Sequence, residues 1–427
     1  MRKPVVRASL LAFIITSAAL VAPAAASAKQ PPAASAPAYV AVIDAGSSGS
    51  RITLFESDPS ANLVPVTLFS ARGKDSGIDD RVTDPESAGE QVVAPLLEAL
   101  STELRTRGID PAAVEVTLLA TAGLRMIQKE KPAAARRILN SARGAIAASG
   151  NRVGDVAVMS GTQEAAFAWV DANALQKDAG AAFGETGTVE IGGASAQIAF
   201  ASPGATSHPT ITLRVNGRPY RIVALSYLGL GLDAARMSMY QATGGAKPCY
   251  PNSLPAEEPV AFTVGPEATV VGASADYRPV ACSRAYAAVV SRTGADPFNT
   301  QQTGGLAPRD VRNLPGFARS RFALIGSGSY VLADFGISDT VDDDQLLQAA
   351  LRRTCTGPDA WSKVVTQFRD SRGAIAQTAC ANATFLHSWL FGRQGLGIEA
   401  EQLANDASVK GRMPSWSRGF ALTVLAP

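Results

Sequence analysis

The chain has 427 residues, of which 46% are hydrophobic and 18% charged, with a formal net charge of +2. This composition describes a well-cored globular protein long enough for two domains, and it excludes a disordered or low-complexity chain. No basic block or stripe occurs, which argues against a nucleic-acid binder.

Residues 1–28 read as a secretory signal. Arg2, Lys3 and Arg7 precede an apolar stretch from Leu10 to Val21, and Ala26-Ser27-Ala28 supplies a small-residue cleavage site. An uncleaved membrane anchor is the alternative; the cleavage site directly after the apolar stretch favours removal. Removal leaves a net charge of about −1. No later run reaches about 18 apolar residues, so no membrane span is expected in the mature chain. The expectation is export, to the periplasm or the medium. Residues 29–38 form a Pro/Ala linker.

Val40–Phe55 is the stretch around which the rest is arranged. Two apolar, β-prone runs flank a glycine-serine turn, predicting a β-hairpin. Asp44 ends the first strand, Gly46 and Gly49 let the backbone come close to a ligand, and Ser47, Ser48 and Ser50 add hydroxyls. Such a donor-rich turn with one carboxylate suits a phosphate whose charge is shared with a hard cation. A loop follows around 73–81. Asp84 is then expected to cap a helix with Pro85 in its first turn. Val92, Leu96, Leu100 and Leu104 form its core stripe, and Gly108 ends it.

Val114–Leu119 reads as a buried strand that runs into the turn Ala120–Met126, with Thr121 at the carboxyl end. A helix over 132–148 and a strand over 153–159 precede Ser160–Trp169, which opens another helix and carries Glu164. Strands alternating with helices indicate an α/β domain.

The first pattern returns at Thr188–Phe200. A strand ends on Glu190, then Gly192, Gly193, Ala194 and Ser195 turn the chain into a strand carrying Gln197. Asp44 and Glu190 are 146 positions apart, about one domain's length, so the chain reads as a pseudo-repeat of two phosphate loops facing one cleft. Beyond it come a hairpin turning at Asn216-Gly217 and a helix through Arg236 and Tyr240. The span 243–320 is expected to be irregular. Gly326–Tyr330 lies in an apolar stretch that leaves Tyr330 either in the cleft or buried in a strand. Helices are expected over 343–353 and 381–391, and Pro414–Phe420 leads into a short apolar tail.

Cys249, Cys282, Cys355 and Cys380 are the chain's cysteines. In an exported chain an even count suggests two disulfides, for which three pairings exist. Pairing of neighbours closes loops of modest length and is favoured. With no CxxC pair and only His208 and His387, a zinc site is not expected.

There is no Walker-type loop, no kinase loop set and no Gly-x-Ser-x-Gly elbow. Two Gly/Ser loops, carboxylates at strand ends and Glu164 at a helix start suit phosphoryl transfer to water, with Glu164 able to accept a proton.

Taken in order, Asp44–Arg51, Ala120–Met126, Ser160–Trp169, Glu190–Gln197 and a weaker region around Ala381–Gly397 resemble the conserved regions of the apyrases, or nucleoside triphosphate diphosphohydrolases, of the actin-like superfamily. Ser226–Arg236, Pro248–Pro251 and Ser415–Gly419 also look like segments of that family. The resemblance implies an α/β fold of two actin-like (RNase H-like) domains about a central cleft, each with a phosphate-binding hairpin loop. Residues 39–160 with about 400–427 would form domain I, and 161–399 domain II. The implied reaction is hydrolysis of nucleoside tri- and diphosphates to monophosphates by a monomer using Mg²⁺ or Ca²⁺. Asp44 and Glu190 would hold the ion through water. Gly46, Ser47, Ser48, Gly49 and Arg51 would bind phosphate in the first loop, and Gly192, Gly193 and Ala194 in the second, with Thr121 nearby. Glu164 would be the general base, Ser195 and Gln197 would orient the water, and Tyr330 would stack on the base. The family's cysteine pairing agrees with neighbours. Two departures stand out: the second loop opens with Glu190 where the family usually has Asp, and Ala165 follows Glu164 where the family often has Gly. The alternatives are an exopolyphosphatase, for which a cleft richer in Lys and Arg is expected, and a nucleotide-binding protein of the same superfamily that does not hydrolyse.

Overall fold

The computed structural model describes residues 39–425 apart from 48, 58–63, 74–76, 205–209, 216, 244–247, 256–259, 265–266, 272–276, 338–343, 369–373, 405–407 and 409–410; for 260–264, 267–271, 344–346 and 374–375 it describes the backbone. The signal segment, the linker, Ser48 and Asn216 lie outside the described residues.

The first half is a five-stranded sheet. Strands β1 (Tyr39–Gly46), β2 (Gly49–Glu56) and β3 (Val66–Arg72) form a meander, followed by β4 (Val114–Ala120) and β5 (Arg152–Val158), in the order β3-β2-β1-β4-β5. β4 runs parallel to β1 and to β5. Val40 to Ile43 are buried on both faces, the pattern of a parallel strand covered above and below. Helices α1 (Ala94–Arg107), α2 (Ala122–Glu130) and α3 (Pro132–Ala148) connect these strands, and a core holding Ile43, Leu100, Leu118 and Ile138 lies on their side of the sheet.

The stripe Leu96, Leu100 and Leu104 is buried as expected, but the helix does not start at Asp84. Residues Ile78–Thr83 and Pro85–Ser87 form 3₁₀ turns and Gly89–Val93 a π turn before α1 begins, and the Asp84 side chain makes no cap. Pro95 has no N–H with which to continue an α-helical ladder through this segment. Ser141 ties the turns down instead: its Oγ accepts from Gly89 N at 2.9 Å.

Helix α4 (Gly161–Asp178) leads to the second sheet. Strands β6 (Thr186–Ile191), β7 (Ser195–Ala201), β8 (Ile211–Val215) and β9 (Arg218–Leu228) precede α5 (Leu232–Ala242), and a separate hairpin of β10 (Val260–Val264) and β11 (Glu267–Val271) follows. The span expected to be irregular then contains α6 (Pro279–Gly294) and α7 (Pro297–Thr303). Tyr286, Val289 and Val290 lie on the buried side of α6, a helical spacing masked in sequence by the proline and glycine around it. The chain continues with β12 (Arg321–Gly326), α8 (Ser327–Asp334), α9 (Asp344–Cys355), α10 (Ala360–Gln367), α11 (Ala374–Leu390), β13 (Leu403–Ala404) and α12 (Trp416–Leu425). Thus α11 begins before the expected Ala381, α10 lies where no helix was expected, and the C-terminal tail is helical.

The second sheet has the order β13-β12-β6-β7-β9-β8. Without β8, it repeats the first: an antiparallel meander (β6, β7, β9) continued on its β6 side by parallel strands β12 and β13. A cluster with Val40 and Leu119 from the first sheet, Ala323 and Ile325 from β12, and Trp416, Ala421 and Leu425 from α12 joins the halves. Residues 36–427 make one compact unit.

Cys249 is bonded to Cys282 and Cys355 to Cys380, with Cα–Cα distances of 5.0 and 6.0 Å. Peptide mapping without reduction is expected to return these two links; four free thiols would contradict them. Removing either is expected to cost about 2–5 kcal/mol, read as a lower Tm.

Candidate active site

The two hairpins place equivalent residues at equivalent points. Asp44 faces Arg51 across its hairpin and lies beside Leu119 of β4; Glu190 faces Gln197 and lies beside Ile325 of β12. Thr121 follows β4, and its N–H donates to Ala45 O at 3.1 Å, which ties it to the first loop.

The start of α5 fixes the second loop. Leu232 N donates to Gly192 O at 2.9 Å, and the N–H groups of Asp233 and Ala234 donate to Gly193 O at 2.9 and 3.1 Å. A Cβ on Gly231 would lie 2.3 Å from Gly193 C, so only glycine permits this approach. A Cβ on Gly193 would lie 2.9 Å from Ser47 Oγ. The loops therefore face each other closely.

A cleft of about 460 Å³ opens here. It is lined by Asp44, Gly46, Ser47, Gly49, Arg51 and Thr121 from the first half, and by Glu164, Glu190, Gly192, Gly193, Ala194, Ser195 and Tyr330 from the rest. Tyr330 lies on α8, not in a strand, and is 63% exposed. Gln197 is buried behind this wall.

Glu164 sits in the first turn of α4, which a capping box begins: Ser160 Oγ accepts from Gln163 N at 3.2 Å, and Ser160 N donates to Gln163 Oε1 at 3.1 Å. Glu164 is buried, and its Oε2 accepts from Arg125 Nη2 at 2.7 Å and Gln197 Nε2 at 3.1 Å. Arg125 Nη2 also donates to Ser195 Oγ at 3.0 Å, and its Nη1 to Met159 O at 2.9 Å. Gln197 Nε2 also lies 2.5 Å from Ser195 Oγ and 3.3 Å from Ser226 Oγ, its two N–H groups being shared among these oxygens and Glu164 Oε2. Both of these hydrogen bonds to Glu164 fall on Oε2, and the residue lines the cleft. Arg125 and Ser226 were missed as site residues. The signal for Arg125 was present: an arginine interrupts the apolar run Leu124–Ile127 and needs a buried partner.

Two buried carboxylates, Asp44 and Glu190, are shifted by their surroundings. Burial, with the Glu164 charge adding and Arg51 opposing, raises the Asp44 carboxyl to about 7. Glu190 is pushed well above the usual carboxylate range by burial and then by Glu164 and Asp44, with Arg125 opposing. Its Oε2 is buried with no hydrogen-bond partner among the described residues. An orphaned carboxylate oxygen among acidic neighbours and oxygen-only donors is an arrangement that a hard divalent cation relieves. Among the described residues no group of three or more His, Cys, Asp or Glu side chains could hold a metal ion. Among the described residues no helix is long and apolar enough to cross a membrane.

Residues 33–249, half of the chain, match the model of the GDA1/CD39 (nucleoside phosphatase) family. The chain is 32% identical over 229 residues to "Probable apyrase 1" of Oryza sativa subsp. japonica, covering 48% of this chain and 45% of that one. It is 31% identical over 220 residues to "Ectonucleoside triphosphate diphosphohydrolase 6" of Homo sapiens, covering 48% and 44%. The chain thus spans about half the length of the curated relatives it matches. Among solved structures it is similar to a nucleoside triphosphate hydrolase from Neospora caninum (TM-score 0.57, 14% identity, 91% of this chain and 92% of that one). It is also similar to the Ppx/GppA family member of Aquifex aeolicus (TM-score 0.51, 11% identity, 90% and 96%). These two likenesses establish the fold, which is the actin-like one that the motifs imply. With its doubled hairpin loops and its match over residues 33–249, the chain belongs to the GDA1/CD39 (nucleoside phosphatase) family.

Proposed function

We propose that this cleft hydrolyses nucleoside tri- and diphosphates to monophosphates and phosphate by direct attack of a water that Glu164 activates. The observation that carries the reading is the Glu164 carboxylate: Arg125 and Gln197 hold its Oε2, and the residue lines the cleft beside two phosphate-loop turns. In this mechanism the water oxygen bonds to the terminal phosphorus, its proton passes to Glu164 Oε1, and the bond to the bridging oxygen breaks, leaving the shortened nucleotide with the electron pair. Ser195 and Gln197 orient the water. Ser47, Ser48, Gly49 and Arg51 hold the phosphates from one side, the backbone of Gly193 and Ala194 from the other, with Gly46 and Gly192 shaping the turns and Thr121 beside them. Asp44 and Glu190 would hold Mg²⁺ or Ca²⁺ through water, and the ion would supply charge neutralisation at the phosphates. Tyr330 stacks on the base. We assign 39–160 with about 400–427 to one domain and 161–399 to the other, in a monomer exported to the periplasm or medium.

Phosphate release from ATP, ADP, GDP, AMP and polyphosphate, each with Mg²⁺, Ca²⁺ or chelator, tests this reading. Tri- and diphosphates are expected to be cleaved, AMP not, and chelator to stop the reaction. Release undiminished by chelator would refute it, and a preference for polyphosphate would move the protein to exopolyphosphatase.

The raised Asp44 carboxyl sets a pH dependence. Its value in the fold lies above the unfolded one, about 3.9, so the native state binds the proton more tightly. In chelator, stability is then present below about pH 4 and falls as pH rises toward about 7. A divalent cation needs the carboxylates ionised, so its stabilisation grows with pH. Thermal melts are expected to show a larger Ca²⁺-induced rise in Tm at pH 8 than at pH 5; equal rises would contradict the assignment.

A further inference from the structure

The cleft extends from the first loop along the faces of β2 and β3. On β2, Ile52 and Leu54 enter the core, while Arg51, Thr53 and Phe55 alternate onto the other face and line the cleft. On β3, Arg72 lies directly opposite Arg51 and Ser70 opposite Thr53, and a bulge after Leu54 brings Thr67 beside Phe55. Arg72, Ser70 and Thr67 line the same cleft. Both arginines are exposed. Thr53 Oγ1 and Ser70 Oγ lie 3.1 Å apart. One proton bridges that pair, which leaves the second hydroxyl proton for a further acceptor.

The make-up of this arm indicates what it takes. Residues directly opposite on an antiparallel pair share a face, and like charges so placed repel. An anion between the two guanidinium groups turns that repulsion into attraction, and a phosphate matches their planar forks. None of these lining residues is acidic. Asp44 faces Arg51 from the other side, on β1. With strands about 4.8 Å apart, the gap between Arg51 and Arg72 stands roughly 7 Å outward from Asp44. That is farther than a bridging oxygen carries one phosphate from the next, so a phosphate here is not joined to one held between the loops. The arm is also short. Its cations are confined to the Arg51–Arg72 row, and the face ends at Phe55, which packs in one cluster with Trp416 of α12. Such an arm suits one small anion and not a polyphosphate chain.

Resting on the nucleotide hydrolysis proposed above, we infer that Arg51 and Arg72, with the Thr53–Ser70 hydroxyl pair, form a separate subsite for the orthophosphate that hydrolysis releases. Hydrolysis leaves two anions where there was one substrate, and their repulsion drives the free phosphate toward cations that the nucleotide does not occupy. Arg51 is shared between the first loop and this subsite; Arg72 serves the subsite alone.

The test is calorimetric titration of orthophosphate into the full chain in chelator, with and without saturating AMP, and with tripolyphosphate as a second titrant. Orthophosphate is expected to bind with AMP in place, and tripolyphosphate to bind no tighter. Arg72→Gln is expected to weaken orthophosphate binding by about tenfold or more, the size of one charge-assisted hydrogen bond. Arg72→Lys, which keeps the charge and loses the fork, is expected to weaken it by less. Arg136→Gln removes an exposed arginine of α3 and is expected to bind orthophosphate as the parent does. During turnover, added orthophosphate is expected to inhibit ADP hydrolysis in a way that excess ADP does not relieve, and Arg72→Gln to need about tenfold more of it. Displacement of orthophosphate by AMP, parent affinity in Arg72→Gln, equal weakening in Arg136→Gln, tighter binding of tripolyphosphate with AMP in place, or inhibition that excess ADP relieves would each overturn the inference. If no nucleotide is hydrolysed, the functional reading fails, and the titrations still decide this one.

Discussion

Glu164→Gln is expected to bind nucleotide as the parent does and to turn it over roughly 10²–10⁴-fold more slowly. The amide can keep its oxygen toward Arg125 Nη2 and Gln197 Nε2, so the buried network around Oε2 survives. The other atom is then an NH₂, which cannot take a proton from water. Equilibrium binding of a nucleotide and single-turnover phosphate release separate the two effects. Near-parent turnover in a folded Glu164→Gln protein would exclude the base role. Arg125→Ala is a poorer probe, because it strands a buried carboxylate and costs about 3–5 kcal/mol of stability.

Glu190 is the second large effect, and here stability and activity should move in opposite directions. Its Oε2 is buried without a partner among the described residues, and its carboxyl is held well above the usual range by burial and by Glu164 and Asp44. In chelator, Glu190→Gln removes a carboxylate that the fold disfavours when ionised, so Tm at pH 8 is expected to rise. With divalent cation, the same variant and Glu190→Ala are expected to lose most activity, because the charge serving the ion is gone. Glu190→Asp should retain activity with a changed Mg²⁺/Ca²⁺ preference: its oxygens lie about one C–C bond back, and Mg²⁺ tolerates displaced ligands less well than Ca²⁺. Parent activity and metal dependence in Glu190→Ala would make Glu190 a structural turn residue.

Local sequence made much of this legible. Glycine and serine between apolar strands announced both hairpins, and the repeat of a carboxylate before each turn placed Asp44 and Glu190 at matching points of two sheets with the same core strand order. Partners distant in the chain were not legible. Arg125 meets Met159, Glu164 and Ser195, and Arg418 meets Asp171 across 247 positions; no local period encodes such pairs. The helices over 279–303 were hidden because proline and glycine at their ends outweighed the buried spacing of Tyr286, Val289 and Val290. Tyr330 could not be assigned from sequence because an apolar stretch of that length suits a strand or a helix equally.

Direct attack by a Glu164-activated water is tested most directly by stereochemistry at phosphorus. Hydrolysis of ATPγS made chiral at the terminal phosphorus, in oxygen-labelled water, yields a thiophosphate whose configuration counts the displacements. The account predicts inversion, from one in-line attack by water on the phosphorus held between the two loops. Retention, the mark of a covalent phospho-enzyme and a second displacement, would contradict it.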